Sequence, residues 1–99
     1  MDNLLIAIPA RYHSSRLPGK PLLKINDKTI VNLVYDNILK IKNLNNSNII
    51  FLTDDQKIFD EVINFGGNCY ISENYCENGT TRIIDYLQKN NIKKKYILN

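Results

Sequence analysis

Cysteine is scarce in this chain of 99 residues, which holds only Cys69 and Cys76. Two thiols cannot build a disulfide framework, and neither stands in a C-x-x-C pair or beside a histidine at metal-ligand spacing. Reduced thiols in a cytoplasmic protein are the expectation. No apolar run approaches the length of a bilayer span, so no membrane role is expected. A secretory leader is not expected either, because Asp2 is acidic where a basic segment belongs. A strong excess of one charge is also lacking. The net charge is +3 at pH 7, too mild to make nucleic acid the main partner, and Lys93, Lys94 and Lys95 supply much of it. The basic segments lack interleaved aromatic residues, which lowers a nucleic-acid reading further. Two phosphate-binding glycine motifs are absent. A Walker A loop needs glycine where Ser14 stands and Ser or Thr where Pro21 stands, and G-x-G-x-x-G occurs nowhere. Arginine is rare too: Arg11, Arg16 and Arg82 are the three present, and each lies in or near a motif.

What is present is organised around Ile6 to Leu22, I-A-I-P-A-R-Y-H-S-S-R-L-P-G-K-P-L. The apolar run Leu4 to Ile8 reads as a buried strand that ends at Pro9. Pro9, Pro18 and Pro21 argue that the following segment is an irregular loop rather than a helix. Its charged groups are Arg11, Arg16 and Lys20, with the hydroxyls of Ser14 and Ser15 and with Gly19. That set suits a polyphosphate: arginine forks pair with two phosphate oxygens, lysine adds a point charge, and glycine lets backbone N–H groups approach. A solvated surface loop is the plainer alternative. Three prolines that pin and converge the cations favour the binding role.

The rest of the chain alternates strand and helix. Leu22 to Ile25 reads as extended, Asn26-Asp27 as a turn, and Lys28-Thr29 completes a small hairpin. A helix is predicted from Ile30 to about Ile41, capped by Thr29, with Ile30, Leu33, Val34, Asn37, Ile38 and Ile41 on one stripe. Ile49 to Leu52 is the second strand. Asp54 or Asp55 caps a helix from Gln56 to Phe65, whose inner face is Ile58, Val62 and Ile63 with help from Phe59, and Gly66-Gly67 stops it. Cys69 to Ile71 is a third strand. Thr80 or Thr81 opens a third helix through Gln88, and Tyr96 to Leu98 starts a fourth strand. This order implies one α/β domain over residues 1–99, a parallel sheet with helices on both faces. Ligands of such sheets sit at the carboxyl ends of the strands. The first loop and the segment Asn78-Gly79-Thr80-Thr81-Arg82 then face one pocket. Gly79 and the free N–H groups at the helix start suit an anion, and Arg82 opposes the helix dipole there. An ordinary capped helix start is equally compatible with that segment.

Ile8-Pro9-Ala10-Arg11-Tyr12 followed by Ser14-Ser15-Arg16-Leu17-Pro18-Gly19-Lys20-Pro21-Leu22 resembles the N-terminal motif of the 3-deoxy-manno-octulosonate (Kdo) cytidylyltransferases, the CMP-Kdo synthetases. The resemblance runs along the whole chain, although enzymes of that family are more than twice as long. It implies a Rossmann-like nucleotide-diphospho-sugar transferase fold, truncated here after the start of the fourth strand. It implies transfer of CMP from CTP to Kdo, with release of pyrophosphate, for lipopolysaccharide synthesis. By resemblance, Arg11, Arg16 and Lys20 are the catalytic grip on the triphosphate. Ser14 and Ser15 donate to phosphate, and the backbone of Pro9-Ala10 meets the base with help from Gly79, Thr80 and Arg82. Asn78 and Thr81 depart from the family pattern, and Thr81 stands where a carboxylate is usual. Mg²⁺ is the implied cofactor, but its aspartate ligands, the Kdo-binding residues and the homodimer interface are expected beyond Asn99.

Two other readings stay in view. The chain is a catalytically inactive nucleotide-binding fragment, from a truncated or split gene or in need of a second polypeptide, or, more remotely, it belongs to a CMP-sialate type of cytidylyltransferase. His13 is expected to be solvated. Asp54 and Asp55 are expected to cap a helix rather than hold a metal. Tyr70, Tyr75 and Tyr86 are expected to pack, and Cys76 has no base at a spacing that would make it a nucleophile.

Overall fold

A computed structural model of the chain describes residues 4–13, 18–41, 44–72 and 96–98. Strand β1, Leu4–Pro9, is followed by a 3₁₀ turn at Lys20–Leu22 and a hairpin of β2, Lys24–Ile25, and β3, Lys28–Thr29. Helix α1, Ile30–Leu39, leads through a second 3₁₀ turn, Asn46–Asn48, into β4, Ile49–Thr53. Helix α2, Gln56–Asn64, then β5, Cys69–Ile71, and β6, Tyr96–Leu98, complete the described elements.

The four long-range strands form one parallel sheet in the order β5-β4-β1-β6. Ile6 aligns with Ile49 and Pro9 with Leu52 across β1 and β4, while Leu4 to Ile6 align with Tyr96 to Leu98 across β1 and β6. β1 is therefore central, as its unbroken apolar run predicts. The chain steps outward from β1 to β4 and β5, then returns to the other side of β1. That reversal makes the carboxyl end of β1 a topological switch point, where open α/β sheets take their ligands.

Alternation along the strands divides the core in two. Ile49 and Phe51 pack with Val31, Tyr35, Ile58 and Val62, so α1 and α2 cover the same face of the sheet. Ala7 and Leu52, both fully buried, form the second face with Ile50 and Tyr70 against them. The third helix expected from Thr80 to Gln88 lies outside the described residues.

Local chemistry explains where the helices start and stop. Thr29 caps α1 by accepting a hydrogen bond from the Asn32 N–H, and Asp55 caps α2 by accepting from Ile58 N–H. At the end of α2, Gly66 takes φ 93°. The N–H groups of Gly66 and Gly67 then donate to the carbonyls of Ile63 and Val62, which is the paired bonding of a Schellman stop.

Three sequence expectations are corrected. Leu22 is in the 3₁₀ turn rather than an extended run, because Gly19 turns the chain and Leu22 N–H donates back to its carbonyl. The fully buried residues of α1 are Val31 and Tyr35; of the expected stripe Val34 and Ile38 do pack, half-buried, against the core, while Asn37 is exposed and Ile41 lies past the helix end. Tyr35 can be buried because its hydroxyl donates to Asn46 Oδ1 at 3.0 Å while its ring packs 4.9 Å from that of Phe65. On α2, Ile58 and Val62 are fully buried but Ile63 is half exposed. One residue step rotates it about 100° off the inner face.

Candidate functional site

The site is built at the carboxyl end of β1. Ala10 continues the strand pairing, its N–H donating to the Leu52 carbonyl at 2.8 Å. Arg11 follows, half-buried and engaged within the protein, and then Tyr12. Seven residues on from Tyr12, Gly19 returns to it: Gly19 N–H donates to the Tyr12 carbonyl at 2.6 Å. The chain is therefore closed at a neck between Tyr12 and Gly19. Arg11 precedes the neck and Lys20 follows it, each next in sequence to one of the two bonded residues.

Gly19 is required at the neck for two independent reasons. Its φ is +75°, a left-handed value that side chains disfavour. A Cβ there would also meet Tyr12 Cε2 at 3.2 Å. Lys20 and Pro21 then open the 3₁₀ turn, and Pro21 fits the first positions of such a turn because it has no N–H to satisfy.

Two concavities adjoin the neck. One, of about 170 Å³, is lined by Ile8, Pro9, Ala10, Lys20, Pro21, Ile30, Val31, Val34 and Phe51. Lys20 is the single charged residue among them. The other is an open groove of about 550 Å³ between the hairpin and α2, lined by Leu22, Lys24, Thr29, Lys57, Asp60, Glu61 and Asn64. Its carboxylates are locally satisfied: Glu61 accepts from the Thr29 hydroxyl at 2.7 Å and Asp60 from the Gln56 amide at 2.8 Å. Lys24 and Lys57 match the two carboxylates, so the described lining of that groove has no net charge. Among the described lining residues of the first cavity the one charge is the cation Lys20, with Pro9 and Ala10 beside it.

Of the residues singled out in the sequence, Pro9, Ala10 and Lys20 line one cavity, and Arg11 follows directly on Ala10 without being among its described lining residues. Ser14, Ser15, Arg16, Gly79, Thr80 and Arg82 lie outside the described residues. His13 is exposed and stands edge-on to Tyr12, with centroids 5.0 Å apart. Asp55 is a helix cap, as expected. Tyr70 packs on the second core face. Cys69 carries a free thiol that burial pushes up to about 12, so it is no nucleophile at neutral pH. Among the described residues no three His, Cys, Asp or Glu side chains converge as a metal site. No helix among them is long and apolar enough to cross a membrane.

One residue near the neck was missed. Lys57 Nζ lies 5.8 Å from the centroid of the Tyr12 ring, within cation–π range. A signal was available: Lys57 sits in the first turn of α2, where a cation opposes the helix dipole, as Arg82 is expected to do.

Comparison with known proteins gives this geometry a context. The family model described as Cytidylyltransferase matches residues 5–99. The chain is 40% identical over 92 residues to the 3-deoxy-manno-octulosonate cytidylyltransferase of Chlamydia trachomatis, covering 93% of this chain and 35% of that protein. It is 44% identical over 82 residues to the enzyme of the same name from Fusobacterium nucleatum, covering 83% and 32% respectively. Among solved structures, CMP:2-keto-3-deoxy-manno-octonic acid synthetase complexed with CTP matches with a TM-score of 0.81 and 37% identity, over 96% of this chain and 39% of that one. The chain thus spans about a third of the length of the curated relatives it matches.

Proposed function

Because the chain belongs to the cytidylyltransferase family, we propose that it is the CTP-gripping portion, residues 1–99, of an enzyme that transfers CMP from CTP to Kdo and serves lipopolysaccharide synthesis. The observation that carries this reading is the closed neck at the end of β1, with Arg11 before it and Lys20 after it. It is supported by a similar chain whose structure holds CTP. Arg11, Lys20 and Arg16 grip the triphosphate, and Ser14 and Ser15 donate to its oxygens. Each charged contact contributes about 1.5–3 kcal/mol.

In the reaction, a Kdo hydroxyl oxygen attacks the α-phosphorus in line. A new P–O bond forms to the sugar, the bond from the α-phosphorus to the bridging oxygen of the β-phosphate breaks, and pyrophosphate leaves. The hydroxyl proton passes to solvent. The cations at the neck stabilise charge that builds on the equatorial and leaving oxygens. The base lies against the Pro9-Ala10 backbone, assisted by Gly79, Thr80 and Arg82. Ala10 N–H is already committed to Leu52, so the carbonyls there are what remains to face a base. A carbonyl accepts from an amino group, which cytosine carries and uracil lacks.

The Mg²⁺ that family membership suggests finds no fitting donor set among the described residues. Asp55 is engaged as the α2 cap and no acidic trio converges. A second reading is that these residues bind nucleotide but need further ligands, from the same or another chain, for transfer. A homodimeric, cytoplasmic enzyme is the form we propose for the whole protein.

The test is calorimetric titration of CTP into the chain and into the double variant Arg16→Ala, Lys20→Ala. The expected result is loss of binding with the thermal midpoint unchanged. Equal CTP affinity in the two proteins would overturn the assignment. Pyrophosphate release from CTP and Kdo by the 99-residue chain alone would decide against the second reading.

A further inference from the structure

We infer that Tyr12 is a positioning residue whose ring, backed by Lys57 of α2, holds the loop neck at the spacing that lets Arg11 and Lys20 act together on a polyphosphate. This rests on reading the loop as a polyphosphate grip. It adds two residues that are not themselves part of that grip. Three observations converge on Tyr12, two of them on its ring. The Tyr12 carbonyl takes the Gly19 N–H at 2.6 Å and so closes the neck. The ring lies against Gly19, with Cε2 3.2 Å from where a Cβ would stand. Lys57 Nζ sits 5.8 Å from the ring centroid.

The ring is thus wedged between the neck and the first turn of α2. Because Arg11 and Lys20 are the immediate neighbours of Tyr12 and Gly19, a shift of the ring moves both cations relative to each other. The rest of the packing points the same way: Tyr12 and Leu22, on either side of the neck, both lie against the core that α2 buries. A lysine in the first turn of a helix is unfavourable for that helix, and the Tyr12 ring is a described group placed to offset it, beside Asp60 and Glu61 on the same helix.

The experiment uses inorganic tripolyphosphate as the probe, titrated calorimetrically into the intact chain, with CTP as a second titrant. Tyr12→Leu is expected to weaken tripolyphosphate binding about tenfold, while Tyr12→Phe, which keeps the ring, binds as the parent does. Lys57→Met is expected to weaken it about two- to threefold. In the Tyr12→Leu background Lys57→Met should add nothing, because Lys57 acts through the ring. Hydrogen exchange of the Gly19 amide should quicken in Tyr12→Leu and stay unchanged in Tyr12→Phe.

Unchanged tripolyphosphate affinity in both Tyr12→Leu and Lys57→Met overturns the inference. So does an additive loss in the double variant, or a parent chain that does not bind tripolyphosphate at all. Should Tyr12→Leu fail to fold, Lys57→Met and Tyr12→Phe still decide: the exposed lysine can be changed without disturbing the core, and a large loss in Tyr12→Phe would assign the effect to the hydroxyl instead. Binding of tripolyphosphate without binding of CTP leaves this inference standing and removes the cytidylyl reading.

Discussion

Two connections leave the same edge of the sheet and go to neighbouring helices on the same face, and they could hardly differ more. From β4 to α2 the chain uses two residues, Asp54 and Asp55. Asp55 spends its backbone N–H on Thr53 Oγ1 and its carboxylate on the Ile58 N–H. From β1 to α1 the chain uses twenty residues, Ala10 to Thr29. The short connection shows what the fold itself requires: a turn and a cap. The excess in the long one is therefore not needed for getting from strand to helix. It contains the proposed cations, Pro18 and Pro21, and the closed neck. Length and charge beyond the minimum, at the edge where ligands bind, separate the binding loop from the structural one.

The contrast predicts that stability lives with α2 and binding with the neck. Ile58→Ala should have the largest effect on stability, since its side chain is fully buried against the sheet. A loss of about 2–5 kcal/mol is expected in denaturant unfolding. A loss below 0.5 kcal/mol would mean that α2 contributes little to the core and would erase the comparison.

Gly19→Ala comes next. The left-handed φ of +75° and the 3.2 Å approach to Tyr12 together should cost about 1–3 kcal/mol. Unlike Ile58→Ala, it should also weaken tripolyphosphate binding more than the stability loss alone explains, measured on protein that is still fully folded. A variant that loses stability and keeps full affinity would show that the neck is only a turn.

How much of this was legible in the sequence depends on how local the deciding interaction is. The strands were readable because each is a short apolar run bounded by turn residues. The caps Thr29 and Asp55 were readable because a cap bonds to an N–H three residues away. Pro9, Ala10, Arg11 and Lys20 were singled out by a contiguous motif. The return of Lys20 to the cavity beside Pro9 and Ala10, however, goes with a bond between Tyr12 and Gly19 that no composition rule supplies. Tyr35 was left off the inner face of α1 because it counts as half polar until its partners are known. Those partners, Asn46 and Gly66, lie 11 and 31 residues away. Lys57 was passed over for the same reason: as part of α2 alone it is a solvated lysine, and its significance lies in the ring of Tyr12, on a different connection.

Asp55→Ala should have the smallest effect and draws the comparison most sharply. It removes a single cap bond of 3.1 Å at the short connection. Caps of this kind are worth about 1 kcal/mol, so the unfolding midpoint should fall modestly. Lys57 stands in the same turn of α2, and this makes the variant informative rather than merely mild. If the first turn frays on loss of the cap, the backing of Tyr12 loosens, and tripolyphosphate affinity should fall to about the level of Lys57→Met, two- to threefold at most. Asn or Ser at the same position restores an acceptor for the Ile58 N–H and should recover stability and affinity together. Recovery of stability alone would mean that the carboxylate, rather than the order it brings to the helix start, is what the neck feels. The two connections would then be coupled through charge and not through packing.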